Sequence, residues 1–492
     1  MELVETVETY KEAYRPQFHF SPPEKWMNDP NGLVYNDGIY HLFYQFYPDD
    51  IVWGPMHWGH AVSKDMLHWE HQPIALFPDE HGYIFSGSAV MDQHNTSGLG
   101  TKETPPLVAI FTYHDMKGEK AGRTDYQTQG IAFSLDNGDT WTKYDGNPVI
   151  GNNGMKDFRD PKVFWNDKAN QWTMLLVAGD HLQLWNSDNL IAWEQQSEFG
   201  RNQGAHGGVW ECPDLFPLKV TGTDEEKWVL LISINPGAPN GGSGTQYFIG
   251  DFDGHTFTSD QKEYRWLDWG TDNYAGVTYN HVPNNDRIFV GWMSNWDYAR
   301  DTPTEKWRSA MTLPRKLSLR PVGNGYDLIN YPLDNFDVLL EEQLKQDIMV
   351  QGGSTETIFF DHFNQTEVTF MSSSKNFALS FVNKLKEELV LSMKEETESV
   401  MLDRTVSGKT GFQEDFGSKI HQMPVANLPD GPFEVRILLD RSSIEVFING
   451  GQYVMTDQIF PNENYTALEL ENTSTEPMEL KNFKISKVKG VW

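Results

Sequence analysis

The sequence predicts an all-β protein: a five-bladed β-propeller over about residues 18–335, followed by a C-terminal β-sandwich over about residues 345–492. Three observations lead there. A unit opening on an acid at or near a proline recurs along the first two thirds of the chain. A second hairpin signature follows most copies of that unit, and the composition changes abruptly near residue 345.

The unit is clearest in Asn28-Asp29-Pro30-Asn31-Gly32-Leu33-Val34-Tyr35, Arg159-Asp160-Pro161-Lys162-Val163-Phe164-Trp165 and Trp210-Glu211-Cys212-Pro213-Asp214-Leu215-Phe216. Proline cannot donate to a sheet ladder but is tolerated at a strand's first residue, so each acid is expected where a strand begins. Two weaker copies run from Phe85-Ser86-Gly87-Ser88-Ala89-Val90 to Leu107-Val108-Ala109-Ile110-Phe111-Thr112, and from Tyr274-Ala275-Gly276-Val277 through Pro283-Asn284-Asn285-Asp286 to Arg287-Ile288-Phe289-Val290. After four of these units comes a tight turn of small or acidic residues and then an aromatic: Ser63-Lys64-Asp65 with Trp69, Ser134-Leu135-Asp136 with Trp141, Ser187-Asp188 with Trp193, and Asp251-Phe252-Asp253 with Phe257. Asp and Ser side chains bond their own backbone in turns, which is why they punctuate strands. Two hairpins make one four-stranded sheet, and five sheets spaced by roughly 50 to 75 residues make a propeller. The acid-bearing strand of each blade is then innermost, with its start at a central funnel. Helical periodicity is confined to a short stretch at residues 339–346.

Beyond residue 345 tryptophan disappears until Trp492. Phe433-Glu434-Val435-Arg436-Ile437 alternates with period two, and Ile444-Glu445-Val446-Phe447-Ile448 runs into the hairpin pair Asn449-Gly450. This segment reads as an antiparallel sandwich. No low-complexity linker precedes it, so the two parts are expected to pack closely.

Composition narrows the function. At 492 residues the chain exceeds one ordinary core. With 39 Lys plus Arg against 70 Asp plus Glu, its formal charge is −31, which repels nucleic acid and anionic membranes and fits a neutral substrate. No apolar run is long enough to span a bilayer. The opening residues 1–8 lack a basic start and an apolar stretch, so the chain either stays inside the cell or has lost a leader, and the compartment is open. The single cysteine, Cys212, excludes an internal disulfide and a multi-cysteine zinc site. His57 and His60, three apart on a strand, face opposite ways and are not expected to hold a metal. Gly241-Gly242-Ser243-Gly244 lacks a following helix and lysine, so it reads as a rim loop rather than a phosphate cradle. No metal and no cofactor are expected, and the oligomeric state is open. The 17 tryptophans offer flat faces that suit sugar rings, although most of them are expected in the core.

Three carboxylates on equivalent rims of a repeated unit can converge on one pocket, and a close carboxylate pair is what cleaving a glycosidic bond requires. Taken with Phe85-Ser86-Gly87-Ser88 and Asp440-Arg441-Ser442-Ser443-Ile444-Glu445-Val446-Phe447, the three opening segments closely resemble family 32 glycoside hydrolases, from about Tyr14 to the end of the chain. The resemblance implies the same propeller and sandwich. It implies Asp29 as nucleophile, Glu211 as acid and base, and Asp160 as transition-state stabiliser anchored by Arg159. It also implies a sugar pocket of Asn28, Gln45, Trp53, Phe85, Ser86, Trp296 and Asp297. The polar segment around Asp29 is expected to keep it ionised, whereas Glu211, among Val209, Trp210 and Cys212, is expected to hold its proton. Asp440 and Glu445 read as strand-edge polar residues, and the sandwich as a support.

The segments Gly204-Ala205-His206-Gly207-Gly208-Val209 and Gly241 to Phe248 look most like the levanase and exo-inulinase branch. The function this implies is a retaining exo-β-fructosidase that releases fructose from levan, inulin and sucrose. Two rivals stay open: a fructosyltransferase, in which a sugar replaces water, and a catalytically silent fructan-binding propeller. The second has no need for three mutually repelling carboxylates.

Overall fold

Five sheets of four or five strands precede two sheets of six strands in the computed structural model, which describes residues 10–492. Residues 1–8, read above for a leader, lie outside the described range. The fold is a five-bladed propeller followed by a β-sandwich. The innermost strands of the blades are Lys25–Asn36, Tyr83–Met91, Phe158–Asn166, Val209–Lys219 and Tyr274–Thr278. Trp307–Arg308, from the end of the fifth blade's circuit, pairs in parallel with Lys25 and Trp26 and closes the ring.

Neighbouring inner strands are stitched by side chains because their own ladders face outward along each blade. Ser88 Oγ donates to Pro161 O at 3.0 Å and accepts from Val163 N at 2.9 Å. Asn280 Nδ2 reaches both Ala89 O and Val163 O, and the buried ammonium of Lys162 lies 3.1 Å from Asp214. The turn acids act as turn chemistry requires: Asp65 Oδ1 accepts from the backbone N–H of Leu67 and His68, and Asp136 Oδ1 from that of Thr140. In the third blade Asn189 takes this part and Asp188 does not.

Of residues 339–346, where helical spacing was expected, Leu339 ends the 3-10 helix Asp334–Leu339 and the rest begin the strand Leu340–Val350. Two register irregularities interrupt its pairing with Met478–Val488: an extra residue on this strand between Glu342 and Leu344, and one on the partner strand opposite the step from Gln346 to Ile348. Leu340, Leu344 and Ile348 lie four apart, a multiple of a strand's period of two, so the spacing fits one face of a strand as well as a helix.

Asp440 and Glu445 are not edge residues. They are 1% and 0% exposed and belong to a charge network that seats the sandwich on the propeller. Asp440 accepts from the backbone N–H of Gln17 and Phe18 and from His19 Nδ1 at 2.9 Å, while Glu445 faces His19 Nε2 at 3.2 Å. Both ring nitrogens can donate only as imidazolium. Although burial opposes the charge, the two carboxylates outweigh it and raise His19 to about 9. Arg315 bridges Glu445 to Asp268, which in turn binds Thr456 of the sandwich. A second buried arginine, Arg404, grips Asp272 at 2.8 Å and the Tyr298 hydroxyl at 2.9 Å on the propeller side. The hairpin at Asn449-Gly450-Gly451 is left-handed at all three residues, and a Cβ at Gly451 would lie 2.4 Å from Asn330 O. Glycine there lets the sandwich press against the fifth blade.

Candidate active site

All five inner strands carry the same irregularity at the same depth. Two residues of the inner strand oppose one residue of the next strand: Asn28 and Asp29 against Gln45, Phe85 and Ser86 against Thr112, Asp160 and Pro161 against Leu176, Cys212 and Pro213 against Ile232, Ala275 and Gly276 against Gly291. A bulge re-aims the side chains around it, so a ring of five bulges turns five short segments toward the channel axis. Asp160, Cys212 and Ala275, equivalent residues in consecutive blades, all have φ between 46° and 63°. The left-handed conformation is unfavourable for residues bearing a Cβ, and its recurrence here marks a feature the surrounding sheet imposes.

This ring brings three carboxyl groups together. Asp29 Oδ2 accepts from Ser86 Oγ at 2.7 Å, and Oδ1 from Asn28 Nδ2 at 2.9 Å. Asn28 is itself oriented by the Trp26 indole N–H, 2.7 Å from its oxygen. Asp160 accepts from the backbone N–H of Cys212 at 3.0 Å, and its own N–H donates to Thr112 Oγ1. The Cys212 sulfur lies 3.6 Å from Asp29 and 3.7 Å from Asp160, so one atom touches both acids. Glu211 accepts from Arg159 Nη2 at 2.9 Å and, on its other oxygen, from the Tyr274 hydroxyl. Arg159 also holds Asp157 at 2.9 Å and passes 3.9 Å from Asp160.

The electrostatics follow from crowding three acids into one recessed site, Asp160 buried and Asp29 and Glu211 half-buried. Burial, then the charge of Glu211, raises Asp29, while the Asn28 and Ser86 hydrogen bonds pull it back. Burial raises Asp160 to about 7 against the pull of Arg159. Arg159 itself is held well above its ordinary range: burial works against the cation, but Glu211, Asp160 and Asp157 prevail. Burial and the same acids push the Cys212 thiol and the Tyr274 phenol up, so both stay protonated donors. The polar partners expected to favour an ionised Asp29 are present as Asn28 and Ser86, but the bulge turns the carboxyl inward, where burial and Glu211 act against that charge.

Of the residues expected in the sugar pocket, Asn28, Ser86 and Arg159 touch the carboxylates directly. Gln45 is buried opposite the first bulge and donates to Ile84 O at 3.0 Å. Trp53 meets Phe85 edge-on at 6.1 Å, Phe85 stacks on His114 at 4.2 Å, and Trp296 stacks on Trp26 at 6.0 Å. These aromatics wall the pit. Asp297 is exposed on the rim and bonds to none of the three acids. Tyr274, Cys212, Asp157 and Thr112 were not named as site residues from the sequence. Aligning the five units on their bulges would have found Tyr274, because it precedes its bulge as Glu211 and Arg159 precede theirs.

His60 pairs with His41 at 3.1 Å and His57 with Pro55 O, and among the described residues no group of three His, Cys, Asp or Glu is placed to hold a metal ion. No described helix is long and apolar enough to cross a membrane.

Residues 19–332 match the N-terminal domain of glycosyl hydrolases family 32, and residues 340–487 match the C-terminal domain of the same family. The chain is 44% identical to a levanase of Bacillus subtilis over 98% of its length and 72% of that protein. It is 40% identical to an extracellular exo-inulinase of Aspergillus awamori, covering 97% of this chain and 95% of the relative. The crystal structure of exo-inulinase from Aspergillus awamori superposes with a TM-score of 0.90 at 37% identity, over 98% of this chain and 100% of the other.

Proposed function

The chain belongs to glycoside hydrolase family 32, and from that premise we propose that Asp29, Glu211 and Asp160 perform retaining hydrolysis of β-fructosides. It is a glycoside hydrolase of fructans and sucrose, acting from the nonreducing end. The observation that supports the residue roles is the convergence of acids from blades one, three and four on a single thiol and a single guanidinium.

In the first half-reaction an Asp29 oxygen attacks the anomeric carbon. The glycosidic bond breaks as the proton on Glu211 passes to the departing oxygen. The charge of Glu211 acts against that of Asp29, so the step needs the proton on Glu211 and the charge on Asp29. Having given up its proton, Glu211 is the carboxylate that takes a proton from the attacking water, whose oxygen bonds to the anomeric carbon as the ester bond to Asp29 breaks. Fructose leaves and Asp29 is restored. Asp160, readily protonated near neutrality and fixed by the Cys212 N–H, holds ring hydroxyls as oxocarbenium character develops. Arg159 and Tyr274 orient Glu211, while Trp53, Phe85 and Trp296 exclude water.

A product time course tests the reading: inulin and levan yield fructose without a ladder of oligomers, and sucrose yields equal fructose and glucose. A ladder would mean internal cleavage, and a deficit of fructose would mean transfer to another sugar.

The pH profile offers a second check. Attack needs ionised Asp29, and burial with Glu211 raises that group, so the acid limb of kcat/KM lies above the ordinary carboxylate range. Ser86→Ala removes a hydrogen bond that lowers Asp29 and moves this limb further toward neutral. An unmoved limb would separate Asp29 from the titration that governs the rate.

A further inference from the structure

The sandwich reaches the mouth of the pit. Residues 407–420 leave it between the strands Ser399–Val406 and His421–Pro424 and end against two propeller loops, 236–243 of the fourth blade and 294–306 of the fifth. The excursion is pinned on both sides of Lys419. Before it, Phe416 packs on the Arg404 guanidinium at 3.9 Å and edge-on against Tyr298, and its carbonyl accepts from Arg404 Nε. After it, Gln422 exchanges two hydrogen bonds with the side chain of Asn240, at 3.0 and 3.1 Å.

Lys419 is thereby set on the rim, exposed, with no hydrogen bond or ion pair of its own among the described residues. A Cβ at Gly241 would lie 2.6 Å from its Nζ, and one at Gly242 would lie 2.0 Å from Asn295 Oδ1 and 2.7 Å from Asp297 Oδ2. The loop thus presents bare backbone between an ammonium and a carboxylate. Burial and Asp415 raise Asp297, and Lys419 lowers it, so the two side chains sense each other across this floor. The site is continuous with the pit: Asp297 follows Trp296, which stacks on Trp26, which orients Asn28 beside Asp29.

We propose that Lys419 and Asp297, over the Gly241-Gly242 floor, bind sugar units past the one joined directly to the ring attacked by Asp29, and so set the preference for fructan chains over sucrose. A free donor and a free acceptor separated by flat backbone match a polyhydroxylated ring that needs both, and Trp296 supplies an apolar wall. The proposal rests on the β-fructosidase reading and names its specificity determinants.

The test compares kcat/KM on sucrose and on inulin-type and levan-type oligomers of two to five fructosyl units, for the intact chain and for Lys419→Ala, Lys419→Arg and Asp297→Ala. The expected result is a loss of about fivefold for each alanine variant on the longer oligomers, the size of one net hydrogen bond, carried in KM. For the Lys419 variants sucrose changes by less than about twofold, and Lys419→Arg recovers part of the loss, as a donor role requires. Equal losses on sucrose and oligomers, or no loss on either, would overturn the proposal. Because both side chains are exposed, an unchanged melting temperature is expected, and a lowered one with uniform losses would count as a structural role. If the intact chain failed to cleave sucrose and every oligomer, the parent reading would fall instead.

Discussion

Asp29→Asn is expected to lower turnover on sucrose and fructans by about 10⁴-fold or more, because no other group near the anomeric carbon can form the covalent intermediate. The change keeps the shape and one acceptor for Asn28 or Ser86, so the fold survives it. It is also expected to raise the melting temperature at neutral pH. The acid's folded-state titration lies above its unfolded one, so the fold opposes ionisation, and stability is lost as pH rises through that interval. An uncharged amide removes this penalty. Opposite signs for activity and stability are the signature of a charge held in place for chemistry. Retention of a tenth of the activity, or a large drop in melting temperature, would show that Asp29 serves the sheet instead.

Arg315→Met is expected to destabilise the protein by about 3–5 kcal/mol, the usual cost of leaving buried carboxylates without their cation. Arg315, Glu445 and Asp268 are all essentially unexposed, so solvent screens none of them. Adding Glu445→Leu should recover part of the loss, since it removes one of the stranded charges. The same network dictates a pH window. Burial alone would raise Glu445, but Arg315 and His19 hold it down at about 2, so its contribution is present above the unfolded carboxylate range and lost as pH falls toward 2. His19, raised to about 9, contributes fully below its unfolded value near 6.5 and loses that contribution as pH rises through 9. Thermal melts of the intact chain and of His19→Gln check this. The variant should be less stable below about pH 6.5 and should lack the alkaline decline. Parallel curves would dismiss the network as a lock.

How much of this was legible follows from the range of each interaction. Asp29, Asp160 and Glu211 could be picked out because each stands one or two residues before a proline in a repeated strand opening, a signal contained within a few residues. Tyr274 carries no such neighbour. The roles of Asp440 and Glu445 were misread because their partner His19 lies 421 and 426 residues away, and local alternation made them look like solvent-facing edge positions. The helix-like spacing of Leu340, Leu344 and Ile348 misled for a related reason: a four-residue repeat fits a helix and a strand alike, and only the pairing with the distant strand Met478–Val488 decides between them.

By itself, then, the sequence determined the all-β class, the repetition of the blade unit, the change of character near residue 345 and the three acids, since turn chemistry, strand alternation and proline's missing N–H all act between near neighbours. Only the tertiary structure decided the ring of five bulges, the inward turn and raised titration of Asp29, the pairing of Glu211 with Arg159 and Tyr274, and the placement of a sandwich lysine at the mouth of the pit. Each of these depends on which strands lie side by side and on how much water remains between them, and those quantities exist only once distant segments have packed.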